Sequence, residues 1–151
     1  MSAKSHIPTT PGPLRVLRIG LLFSTVGWSI SFFFTFVPWN MAADQLATMG
    51  LTGLEYHPLL DYWLKMASAV FGCVGVASAV AAVRPQAHPG LVRMLGVFHA
   101  FVGAVLVAAA RANHLQPDLH PTFRIDIAFC FSTAALILLP IFIARPKPPA
   151  G

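Results

Sequence analysis

Charge is scarce in this sequence, and negative charge scarcest: five Asp and Glu stand among 151 residues, and 10% of the chain is charged. Ordinary soluble domains carry about 25%. Hydrophobic residues make up 56% and the mean hydropathy is +0.71. A chain this short has no interior large enough for that much apolar surface, so lipid must cover part of it. Cysteine is nearly missing too. Cys73 and Cys130 both fall inside apolar runs and no CxxC occurs, which excludes the usual zinc and dithiol motifs. Both read as small packing residues, since a structural disulfide belongs in exposed loops. A nucleophile elbow, a phosphate loop and a dinucleotide fingerprint are likewise missing. The net charge is +5 and the pI about 9.9, but the basic residues stand singly at the ends of apolar runs. No basic stripe interleaved with aromatics exists to bind nucleic acid.

What is present is four apolar runs, about 16–37, 61–83, 91–111 and 125–144. Each has the roughly 20 residues that cross a hydrocarbon core at about 1.5 Å per residue. Each stops at polar or proline-rich sequence such as Pro38-Trp39-Asn40 or Arg84-Pro85-Gln86. Four strands cannot close a barrel, so the runs read as helices. Lys4, Arg15 and Arg18 followed by Ala42-Ala43 resemble a signal peptide, but the first run is too long and too aromatic for one and reads as an uncleaved anchor. The expected fold is all-α: a left-handed, antiparallel bundle of four transmembrane helices, residues 1–151 forming one integral membrane domain. Residues 1–13 form a flexible tail and 145–151 a short C-terminal one.

Lys4, Arg15, Arg18, Arg84, Arg93, Arg145 and Lys147 fall on one side, and Lys65, Arg111 and Arg124 on the other. The positive-inside rule puts both termini in the cytoplasm of a cell whose inner membrane the chain spans several times. Asp44, Glu55, Asp61, Asp118 and Asp126 all fall outside. Stripes of small residues mark helix seams: Gly20, Ser24, Gly27 and Ser31; Ser68, Gly72, Gly75, Ala79 and Ala82; Gly96, Ala100, Gly103 and Ala110; and a weaker one, Ala128, Ser132 and Ala135. Such spacing permits close backbone approach. The long loop 39–60 is expected to carry a short interfacial helix from Met41 to Met49, and Trp39, Tyr56, Tyr62 and Trp63 form an aromatic belt.

The second run opens with His57-Pro58-Leu59-Leu60-Asp61-Tyr62-Trp63-Leu64-Lys65. Asp61 and Lys65 stand four apart, acid first, the better order for an intrahelical pair. Both lie within about 60° of the small stripe, as does Arg111 on its own helix. With Arg124 and Asp126 they outline an outer cup, with Tyr62 beside it and His57, His114 and His120 on its rim. The bland reading stands beside it: Lys65 snorkels, while Asp61 and Asp126 favour positive helix ends. Inward charge in a membrane is commonly functional, so the cup (Asp61, Lys65, Arg111, Arg124, Asp126, Tyr62, His57 and His114) is the candidate binding site. His99 lies deep in the third run and is expected to be hydrogen-bonded inside. A bis-histidine haem needs a second histidine at equal depth, which the sequence lacks. Glu55, His57, Asp61, His114, Asp118 and His120 suit zinc or iron by type. No two histidines share the helical i, i+4 spacing of a metal motif, so neither haem nor metal is expected.

Arg18-Ile19-Gly20-Leu21-Leu22-Phe23 with Gly27 resembles the opening helix of DoxX-like small four-helix bacterial membrane proteins. That resemblance covers the first helix in pattern and the rest in architecture. It implies association with membrane oxidoreductases or quinones, and it assigns no site residue. Asp61-Tyr62-Trp63 has no match in that family. Three functions follow. The first is a non-catalytic subunit or lipid/quinone-binding module of a larger membrane complex, partnered by another membrane protein or by copies of itself. The second is a small membrane enzyme acting on a lipophilic substrate, with Asp61 as base and Lys65 or Arg111 stabilising developing negative charge. The third is an oligomeric transporter.

Overall fold

A computed structural model describes residues 7–144. Five helices follow one another: α1 (Pro11–Phe32), α2 (Trp39–Thr48), α3 (Pro58–Val83), α4 (Pro89–Ala112) and α5 (Phe123–Ile143). A single 3-10 turn, Phe33–Thr35, extends α1. Four of the five are long and apolar enough to cross a membrane. The chain is a small integral membrane protein of four spans.

Proline sets several helix starts. Pro11, Pro58 and Pro89 each occupy the first turn of a helix, where the missing N–H has no intrahelical partner to lose. This carries α1 and α3 several residues beyond their apolar runs. Pro38 stops the first span, because the residue before a proline is pushed out of helical geometry. Ile7 is buried in the core next to the start of α1. The expected tail segments 1–6 and 145–151 lie outside the described residues. The short helix of the long loop is present, over Trp39–Thr48.

The long helices form a ring in the order α3, α1, α5, α4, with the α3–α4 seam the thinnest. Glycines make the seams. Gly20 faces Leu136 and Gly27 faces Phe129 where α1 meets α5. Gly72 admits the Phe32 ring, and Gly75 lies against Ser29 and Thr25, where α3 meets α1. Gly96 faces Leu138 and Gly103 faces Cys130 between α4 and α5. In every seam one number rises as the other falls. The small stripes of α1, α3 and α4 therefore mark real contacts. That of α5 does not: Ala128, Ser132 and Ala135 are exposed, and its inner face is Cys130, Thr133, Ala134, Ile137 and Ile141. Here glycines on α1 and α4 provide the closeness, and α5 answers with larger side chains.

Packing is uneven along the bundle. Towards the end that holds the start of α1 and the Arg84–His88 connection, Leu17, Leu21, Ala81, Ala82, Val92, Leu95, Ile137 and Ile141 form a closed core. Towards the end that carries α2, the inward Leu64, Phe71, Val102, Leu106 and Ile127 all remain partly exposed. A Cβ added at Gly20 would stand 2.7 Å from Leu136 Cβ, a contact that forces the helices apart. Gly20→Ala should destabilise the protein by about 1–3 kcal/mol, as overpacking does, measured as thermal unfolding in detergent. Gly90→Ala, with nothing within 4 Å of the added carbon, should not.

Candidate functional site

Two groups of polar residues compete for the role of site. One is the cup expected from sequence, at the α2 end. The other lies inside the bundle.

At the α2 end, α3 runs on past the last turn of α1. Positions 61, 65, 68, 72 and 75 share one face of α3 by their spacing of four and three. Gly72 and Gly75 of that face pack on α1; Asp61 and Lys65 lie where α1 has ended. Lys65 Nζ donates to Asp61 Oδ2 at 2.7 Å, with the Lys65 side chain 39% and the Asp61 side chain 18% exposed. The other carboxylate oxygen, Oδ1, is shielded from solvent and has no hydrogen-bond partner. Thr35 Oγ1, in the 3-10 turn packed against α3, is shielded and unpartnered as well.

The remaining cup residues are placed around this pair without joining it. Asp61–Lys65 is the one salt bridge among the described residues. Arg111, Arg124 and Asp126 are exposed, with Arg124 5.9 Å from the adjacent Phe123 ring. Tyr62 is exposed and set edge-on to Trp63.

The rim histidines serve helix ends. His57 caps α3, its Nδ1 accepting from Leu59 N at 3.3 Å. His114 takes a left-handed φ of 50°, beyond the end of α4. There His114 N bonds to Arg111 O and Leu115 N to Ala110 O, the paired pattern of a Schellman motif. Gly50 does the same beyond α2, with φ 98° and bonds from its own N to Ala47 O and from Leu51 N to Leu46 O. It also lies against Leu119 O, so the loop after α2 touches the loop before α5. Among the described residues, no group of three or more His, Cys, Asp or Glu side chains gathers as metal ligands.

The interior group centres on His99, which is fully buried. Trp28 Nε1 donates to His99 Nε2 at 2.8 Å. An indole N–H only donates, so Nε2 must accept and the ring proton sits on Nδ1. Nδ1 lies 2.7 Å from Leu95 O and donates to it. Ser24 Oγ stands 3.1 Å from Nε2 and 2.7 Å from Ser78 Oγ. Ser78 gives its proton to Val74 O, so the single Ser24 proton is shared between two acceptors. The glycine pairs above place Ser24 and His99 level with the turn of α5 that carries Thr133, which is fully buried with Oγ1 unpartnered. Each membrane helix thus contributes at least one polar side chain to a single layer, and α1 contributes two, Ser24 and Trp28.

An aromatic plate covers this layer. The Trp28 ring lies 4.8 Å from Phe71, 5.7 Å from Phe98, 5.8 Å from His99 and 5.9 Å from Phe129, measured between centroids. It therefore touches a ring from every other membrane helix. The closed core lies on one side of this plate and the looser α2 end on the other. Sequence reasoning placed His99 inside the bundle and hydrogen-bonded, as it is. It did not single out Trp28, Ser78 or Thr133. Trp28 was the detectable signal: an indole N–H in the middle of an apolar run needs an acceptor from another helix.

No protein-family model, no curated protein and no solved structure matches this chain. Trp28→Phe keeps a ring in the plate but removes the donor to His99. We expect a loss of about 1–3 kcal/mol, the usual effect of stripping a partner from a buried polar atom, measured by unfolding in mixed detergent. Nitrogen NMR of the wild-type imidazole should find its proton on Nδ1.

Proposed function

We propose that this four-span membrane protein is a non-catalytic module that holds a lipophilic ligand, a lipid or a quinone, and serves a larger membrane complex. The observation that carries the reading is the change of packing across the Trp28 plate. On the terminal side apolar side chains are fully buried against one another. On the α2 side Leu64, Phe71, Val102, Leu106 and Ile127 stay partly exposed although Ser68, Val37 and Ala42 are buried, and the Asp61–Lys65 pair lies at the same end. Looser apolar packing beside one or two polar groups is the kind of setting in which a small lipophile is held. His99 engages both ring nitrogens within the protein, which suits a structural histidine better than a proton-transferring one. The likeness to DoxX-like proteins, carried by helix number and the pattern of α1, agrees with this role. In this reading the α2 end is the outer end, both termini are cytoplasmic, the bundle is left-handed, and Arg111, Arg124, Asp126, Tyr62, His57 and His114 line the approach to the pair.

A membrane enzyme is the second reading. It is favoured by the unpartnered Asp61 Oδ1, a free acceptor positioned for acid–base work.

Lipid extraction and mass spectrometry of the purified protein test both readings. The module reading expects a lipophile that remains with the wild type in gentle detergent together with larger partners, and that is not converted on incubation. The enzyme reading expects turnover that Asp61→Asn abolishes in a protein that still folds. A monodisperse protein that carries no lipophile would count against the module. Orientation has its own measurement. A cysteine introduced at Asn113 should react with an impermeant reagent from outside the cell, and one at Gln86 only after lysis.

A further inference from the structure

At the end of the bundle opposite α2, the outer faces of α1 and α5 leave a groove of about 330 Å³, within the size range of small-molecule sites, which begins at about 300 Å³. Pro13 and Val16 line one wall, and Ala135, Leu139, Pro140 and Ile143 line the other. Every side chain that lines it is apolar. The close contact of Gly20 with Leu136 lies at its inner limit. A second pocket of about 290 Å³ adjoins the groove through Pro13 and Ile143 and adds Thr9, Thr10 and Ala144. The Thr10 hydroxyl makes no capping bond to α1. The two pockets therefore form one path, apolar along the helices and polar at their ends.

This path faces the bilayer, so hydrocarbon chains cover its apolar part and lipid head groups meet its polar part. Charge then selects among head groups. This end of the bundle carries Arg15, Arg18, Arg84 and Arg93, while Asp44, Glu55, Asp61, Asp118 and Asp126 all lie towards the α2 end. Ala144, which lines the polar pocket, is followed in the sequence by Arg145-Pro146-Lys147, and covalent connection alone keeps those two cations near it. From this we infer that the α1–α5 groove seats one anionic phospholipid, its acyl chain between Val16 and Ala135 and its phosphate at the Thr9–Thr10 pocket, balanced by Arg145 and Lys147. A zwitterionic lipid brings its own cation and gains less from them. The seat is separate from the α2 end and does not depend on the ligand proposed there.

The test is native mass spectrometry of the full chain in mild detergent, titrated with palmitoyl-oleoyl phosphatidylglycerol or with phosphatidylcholine of the same chains. One phosphatidylglycerol should be retained, at least about tenfold more tightly than phosphatidylcholine, since each nearby Lys or Arg contributes about fivefold towards an anionic lipid. Ala135→Trp fills the groove and leaves every charge in place. It should weaken both lipids at least about tenfold, and Val16→Trp, from the other wall, should do the same. Ala128→Trp, on the same exposed face of α5 but outside the groove, should bind as the wild type does. Arg145→Gln with Lys147→Gln should bring phosphatidylglycerol down to the affinity of phosphatidylcholine. Thermal unfolding of each lipid-free variant checks its fold. Equal binding of the two lipids by the wild type overturns the inference. So does wild-type retention in both groove-filled variants, or binding of many lipids without saturation. Each of those results leaves the reading of the α2 end standing.

Discussion

The hydrogen bond from the Trp28 indole to His99 Nε2 decides more of this structure than any other single interaction. Inside a bilayer no water is at hand to satisfy a polar atom, so an imidazole there needs partners from the protein. Trp28 supplies only a donor, which fixes the ring proton on Nδ1 and turns that nitrogen towards Leu95 O. The imidazole is then held on both sides, by its own helix and by α1 across the bundle. Ser24 and Ser78 extend the bond into α3. Rotating or sliding α1, α3 or α4 relative to the others would strand at least one of these atoms. A layer that packing alone would leave free to shift is thereby given one register.

The same bond sets the position of the aromatic plate. With its N–H directed at His99, the Trp28 ring is drawn into the centre, against Phe71, Phe98 and Phe129. On the terminal side of the plate, glycines at 20 and 96 bring the helices close and the core closes. On the α2 side Gly72 is filled by Phe32, α1 then ends, and α3 continues with a polar face. The bundle is thus closed most tightly where glycines bring the helices together, and more loosely packed where α3 runs on past α1.

The α2 end shows how a membrane protein spends its histidines at helix termini. His57 caps α3 and His114 stands in the left-handed position beyond α4. Helix ends carry unsatisfied backbone groups that must find partners near the membrane surface. The His57 side chain and the His114 backbone N–H meet that need. Asp61 is different: one of its oxygens is engaged by Lys65 and the other has no partner among the described residues.

Much of the architecture is decided along the chain itself. Apolar length determines that there are four spans, prolines determine where α1, α3 and α4 begin, and the spacing of Gly20, Gly72, Gly75, Gly96 and Gly103 determines which faces meet, because these are local properties of a helix. The Asp61–Lys65 pair is equally local, one turn of one helix. Tertiary structure alone decided the rest. Whether Arg111, Arg124 and Asp126 meet that pair depends on the separation of helices, which no periodicity encodes. The inner face of α5 depends on what its neighbours leave open, and its own small residues turned outward. The polar layer joins Ser24, Trp28, Ser78 and His99, and its hydrogen bonds exist only once α1, α3 and α4 share one depth.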